Sequence, residues 1–115
     1  MRNLFLAALL VSYCALAADV RLDPGASVEG GTLIVEPTVL GPAGRTLQYE
    51  MRTTREGARG SSSSSQSGDV RIGTDGSARL ASSRISVSPA DRYRIEVKLL
   101  EGGRAVAEEV VRYPD

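Results

Sequence analysis

The stretch Arg92-Tyr93-Arg94-Ile95-Glu96-Val97-Lys98-Leu99 decides the fold. Tyr93, Ile95, Val97 and Leu99 alternate with Arg92, Arg94, Glu96 and Lys98. Successive side chains of a strand point to opposite faces, so period two puts the apolar set in a core and the charged set in water. A second stretch does the same: Leu47, Tyr49, Met51 and Thr53 alternate with Gln48, Glu50, Arg52 and Thr54. Two such strands need a common apolar layer to cover them.

Turn signals surround both stretches at short intervals: Asp23-Pro-Gly25, Glu29-Gly-Gly31, Gly41-Pro-Ala-Gly44, Gly57-Ala-Arg-Gly60, Gly73-Thr-Asp-Gly76, Ser88-Pro-Ala-Asp91 and Glu101-Gly-Gly103. Glycine supplies positive φ and proline pre-sets φ, so each cluster can reverse the chain. The segments between them are too short for packed helices. Leu33-Ile-Val35, Val70–Ile72, Leu80, Ile85–Val87 and Val106–Val111 supply further strands. The fold class is therefore all-β, an immunoglobulin-like β-sandwich of about seven antiparallel strands.

The last strand reads less simply. Ala105, Ala107, Glu109, Val111 and Tyr113 form one phase and Val106, Glu108, Val110 and Arg112 the other, so each phase carries a Glu. A bulge near Glu108-Glu109 is expected. As neighbours on a strand, the two carboxylates would point to opposite faces, which argues against a catalytic pair.

The amino terminus reads as a leader. Met1-Arg-Asn precedes the apolar run Leu4 to Val11, and Ala15-Leu16-Ala17 is the small–x–small pattern a signal peptidase accepts. Eight apolar residues fall short of the ~20 that span a bilayer. Residues 1–17 are expected to be a cleaved signal peptide and 18–115 a single exported domain in the periplasm. Tyr13 is larger than the small residue a lipoprotein site normally has before its Cys, so Cys14 reads as an incidental member of the leader.

Composition narrows the chemistry. The chain has no His and no Trp, and its single Cys and single Phe, Cys14 and Phe5, lie in the leader. Zinc sites built on Cys or His, Cys–His and Ser–His–Asp hydrolase sites, and redox Cys pairs are excluded for the processed domain. Losing Arg2 from the balance of 14 basic and 14 acidic side chains leaves 13 against 14. A net charge of about −1 argues against a nucleic-acid partner. The expectation is a monomeric interaction protein, not an enzyme, with no metal, no cofactor and no membrane insertion after processing.

Two local features have structural readings. Asp91-Arg92-Tyr93 at the start of a strand matches a tyrosine corner, in which the hydroxyl bonds back to nearby backbone. Ser61 to Ser65, followed by Gln66-Ser67-Gly68, reads as a solvated loop or a weak edge strand. Such an edge also has unpaired backbone groups suited to an extended partner.

From Leu33 onward the sequence resembles the curli-assembly chaperones of the CsgC/CsgH type, over roughly 80 residues. The matches are Arg55-Glu56-Gly57 with the Ser/Gln-rich stretch to Gln66, then Ile85-Ser-Val-Ser-Pro-Ala-Asp-Arg92, and a closing Tyr113-Pro114. The resemblance implies a seven-strand immunoglobulin-like sandwich and an ATP-independent periplasmic protein that keeps curli subunits from forming amyloid. Some members carry a Cys-x-Cys motif before Arg-Glu-Gly. Here Arg45 and Leu47 stand at those positions, so thiol chemistry does not carry over.

If the two alternating stretches are neighbours in one sheet, Gln48, Glu50, Arg52, Arg92, Arg94, Glu96 and Lys98 share one outward face with four positive and two negative charges. These seven are the expected partner-binding residues, holding a disordered curli subunit or an early nucleus by weak electrostatic attraction. The alternative is a generic exported binding, adhesion or scaffold module with the same fold.

Overall fold

The computed structural model describes residues 10–15, as backbone, and residues 19–114. Met1–Leu9, residues 16–18 and Asp115 lie outside the described residues, and with them most of the expected leader and its cleavage point.

Eleven strands follow in chain order, with no helix among the described residues: β1 (Leu10–Ala15), β2 (Arg21–Asp23), β3 (Ala26–Glu29), β4 (Thr32–Val35), β5 (Thr38–Leu40), β6 (Thr46–Gly57), β7 (Gly60–Arg71), β8 (Ser77–Arg79), β9 (Ser83–Ser86), β10 (Arg92–Glu101) and β11 (Arg104–Tyr113). One sheet has the order β1-β11-β10-β6-β7, and two small ones have the orders β2-β5-β8 and β3-β4-β9. All pairings are antiparallel.

The two small sheets are two halves of one layer. Pro24-Gly25 separates β2 from β3, Glu36-Pro37 separates β4 from β5, and Leu80–Ser82 separates β8 from β9. A proline has no N–H for the ladder, so two of these breaks are where the sequence requires them. Rejoined, β2/β3, β4/β5 and β8/β9 are three chain paths facing the longer strands. With β6, β7, β10 and β11 they make seven paths, three of them split, and β1 adds an eighth strand at the edge of the large sheet.

The core fills the gap between the layers. Leu33, Val35, Val39, Leu47, Met51, Ile72, Ile95, Val97, Leu99 and Val111 are each at most 2 % exposed. The inward phase of β10 (Tyr93, Ile95, Val97, Leu99) is buried throughout, as its alternation predicts. The β10–β11 hairpin turns on Gly102 (φ 59°) and Gly103 (φ 81°), two positive values that match the twist of the strands and fix their register. Tyr93 forms the expected corner. Its hydroxyl accepts from Ser88 N–H at 3.1 Å and donates to Ser86 O at 3.4 Å.

The bulge is not where the sequence reading puts it. Leu99 pairs with Ala107 and Leu100 with Ala105, so the extra residue is Val106 rather than one of the two glutamates. Both Val106 and Ala107 are buried, which gives the bulge an apolar anchor. From Ala107 on, the register is regular, and Glu109 stays in the inward phase between Ala107 and Val111.

Candidate functional site

The outward face of the large sheet is built by β6 and β10. Their register pairs Arg92 with Glu56, Arg94 with Thr54, Glu96 with Arg52, Lys98 with Glu50 and Leu100 with Gln48. The seven expected residues are thus on one face. Gln48, Glu50, Arg52, Arg92 and Arg94 are exposed, and Glu96 and Lys98 half-buried.

Charge along that face is uneven. Lys98 stands in register between Glu50 on β6 and Glu108 on β11, so carboxylates flank it on both sides. At the other end, Arg94 is directly opposite Arg112 of β11. Arg52, Arg92, Arg94 and Arg112 surround an open groove of about 520 Å³ that also has Glu56 and Glu96 on its wall. A smaller depression of about 240 Å³ continues from Arg52 and Glu96 toward Lys98 and Gln66. Arg94 contacts Glu96 at 2.9 Å, with both side chains substantially exposed, a pair worth under about 1 kcal/mol. Among the described residues, Arg52 and Arg92 have no ion pair.

Sequence reasoning left Arg112 out of this cluster. The signal was there, since Arg112 shares a phase with Glu108 and Val110. A glutamate in each phase of β11 obscured which phase faces outward.

The serine run forms the far edge of the same sheet. Ser61 to Ser67 are exposed within β7, paired on one side with β6 and open on the other. Tyr49 supports the half of this hairpin away from its turn: its ring lies across Gly68, where an added Cβ would sit 3.0 Å from Cε2. An edge strand was one of the two structural readings of the run.

Glu109 is the exception to the polar–apolar partition. It is 3 % exposed, and its Oε1 has no hydrogen-bond partner among the described residues. Burial, helped by the negative charge of Asp23, pushes its carboxyl up to about 7. Among the described residues no cluster of three or more His, Cys, Asp or Glu could hold a metal ion.

No protein-family model matches the chain, and no curated relative does. Solved structures do match. The solution structure of R. palustris CsgH superposes with a TM-score of 0.60 at 19 % identity, over 83 % of this chain and 92 % of that one. The E. coli curli protein CsgC superposes with a TM-score of 0.59 at 18 % identity, over 85 % and 97 %. This chain has the CsgC/CsgH-type fold. A glycosyl hydrolase family 2 member from Bacteroides cellulosilyticus also matches, with a TM-score of 0.53 and 10 % identity, but over only 14 % of its length. That likeness is to a small part of a much longer chain.

The CsgC/CsgH-type fold brings the two motif segments of the sequence together. Arg55 donates from Nη1 to Asp91 Oδ2 at 3.0 Å and from Nε to Ser62 Oγ at 3.5 Å. Gly57 makes room for the Asp91 carboxylate, which an added Cβ would overlap. Arg45 and Leu47, which the resemblance sets against the Cys-x-Cys motif, have structural contacts. Arg45 bonds Glu101 and Asp19 together, holding the Glu101 carboxyl below its usual range, and Leu47 is 1 % exposed in the core.

Proposed function

We propose that the processed domain is an ATP-independent periplasmic chaperone that keeps curli subunits from forming amyloid too early. The observation that carries this reading is the arginine cluster Arg52, Arg92, Arg94 and Arg112 around one groove of the outward face, in a chain with the CsgC/CsgH-type fold. Amyloid grows when identical extended segments template one another through in-register pairing. A rigid surface that attracts such segments weakly competes with that templating and needs no energy source. Exposed guanidinium groups suit the task, because each offers several donors to carboxylates and backbone carbonyls without demanding one geometry.

The generic binding-module reading gains nothing specific. Sugar recognition favours exposed aromatic platforms, whereas Tyr93 is buried and Tyr49 and Tyr113 are partly buried against the core. The test of the chaperone reading is the lag of curli-subunit fibrillation with the purified domain present well below equimolar amounts. A lengthened lag supports it, and an unchanged lag at equimolar protein removes it.

A further inference from the structure

Besides the charged face, the large sheet has a second surface suited to an extended chain: the outer edge of β11. The sheet's order places β10 on one side of β11 and β1 on the other. β1 is Leu10–Ala15, a segment the sequence assigns to the leader. It pairs antiparallel with β11 over six residues, from Leu10 opposite Arg112 to Ala15 opposite Ala107. We infer that residues 107–112 form a strand-accepting edge, filled in the precursor by the leader's own Leu10–Ala15 and offered after processing to an extended segment of a partner protein.

Three observations support this. First, the occupant is an added edge: β1 stands at the end of the large sheet's order, outside the seven chain paths of the sandwich, all of which lie between Arg21 and Tyr113. Removing β1 then leaves the outer ladder of β11 without a partner over six residues, and an unpaired row of N–H and C=O groups is a template for another strand. Second, the register defines what fits. Val11, Tyr13 and Ala15 stand opposite the inward positions Val111, Glu109 and Ala107, and Leu10, Ser12 and Cys14 stand opposite Arg112, Val110 and Glu108. The accepted segment is one without proline whose alternate residues are apolar or small where they meet the inward phase. Third, the edge is continuous with the charged face, since Arg112 belongs both to the pairing register and to the arginine-lined groove. A chain held by the groove lies beside the edge. This goes beyond the proposed chaperone reading: the edge is defined by backbone pairing, whichever client the charged face attracts.

Hydrogen exchange on the precursor, Met1–Asp115, and on residues 18–115 tests it. The expected result is that the outward-facing amides of residues 107–112 exchange at least tenfold faster in the processed form. Adding a synthetic peptide of the sequence Leu10–Ala15 at millimolar concentration should restore their protection, and the same peptide with Ser12→Pro, which cannot complete the ladder, should not. Equal exchange in the two forms would overturn the inference, as would equal protection by the proline peptide. Protection that rises with the concentration of 18–115 alone, together with a doubled mass in sedimentation, would assign the edge to a second copy and overturn the partner assignment. None of these readouts involves fibrillation, so the edge fails or stands separately from the chaperone reading.

Discussion

Gly57 and Asp91 share one space: the Asp91 Cγ lies 2.8 Å from where a Cβ on Gly57 would be, and the same carboxylate is held by Arg55 at 3.0 Å. The end of β6 and the turn before β10 are therefore joined through a contact only glycine allows. Gly57→Ala should force Asp91 off Arg55 and destabilise the domain by about 1–2 kcal/mol, typical of overpacking. In an Asp91→Ala background most of that cost should vanish, because the clashing group is gone. Urea denaturation of the two single mutants and the double mutant measures the coupling. Additive effects would show that the glycine is not there for the aspartate.

Glu109 sets the pH dependence of stability. Its carboxyl is raised to about 7 in the folded state, above an ordinary value near 4.5. Between those values the native state keeps a proton that the unfolded chain has lost, so stability falls as pH rises from about 4.5 to about 7 and then levels off. The chain has no histidine, so no other side chain is expected to dominate that window. The loss amounts to at most about 3 kcal/mol. In the full chain, where β1 pairs Tyr13 opposite Glu109, unfolding free energies at pH 5 and pH 8 should differ in wild type, less in Asp23→Asn, and hardly at all in Glu109→Gln. A wild-type full chain equally stable at both pH values would contradict the burial of this carboxylate.

Processing should leave Ala18 as the first residue of the exported protein. Intact mass of periplasmic material checks this. A retained leader, or a lipid adduct on Cys14, would contradict the leader reading.

Much of this fold was legible because two strands alternate without interruption over their buried length. Their pairing, more than forty residues apart in sequence, is the register of Glu96 with Arg52 and Lys98 with Glu50, and it assembles the face expected from phase alone. What stayed hidden depended on the opposite layer. Pro24 and Pro37 split paths that otherwise read as single strands, and no periodicity test spans such a break. In β11 a carboxylate in each phase suggested a bulge that would keep both in water. The fold instead anchors its bulge on Val106 and leaves Glu109 buried, at a cost in hydrogen bonding that sequence alone does not reveal. The same ambiguity concealed Arg112 beside Arg94.

Reversing charge on the outward face should abolish inhibition while sparing the fold. Arg92→Glu, Arg94→Glu and Lys98→Glu together take the seven-residue face from +2 to −4. Isolated surface substitutions usually shift stability by under about 0.5 kcal/mol each, so the triple mutant should remain folded by circular dichroism. The arginines should carry most of the effect, since Lys98 is flanked by Glu50 and Glu108. The Arg92→Glu/Arg94→Glu double mutant should therefore resemble the triple mutant and Lys98→Glu the wild type. Equal losses from all three would place the attraction along the whole face rather than at the groove.

The most direct measurement is the fibrillation lag of a curli subunit with the wild-type 18–115 domain at well below equimolar amounts, at physiological salt and at 1 M. Screening shortens the reach of surface charge from about 8 Å to about 3 Å between those conditions. The account predicts a lag several times longer than that of the subunit alone at physiological salt, with most of the extension lost at 1 M. A lag unchanged by equimolar domain, or extended equally at both salt concentrations, would contradict electrostatic capture on this face.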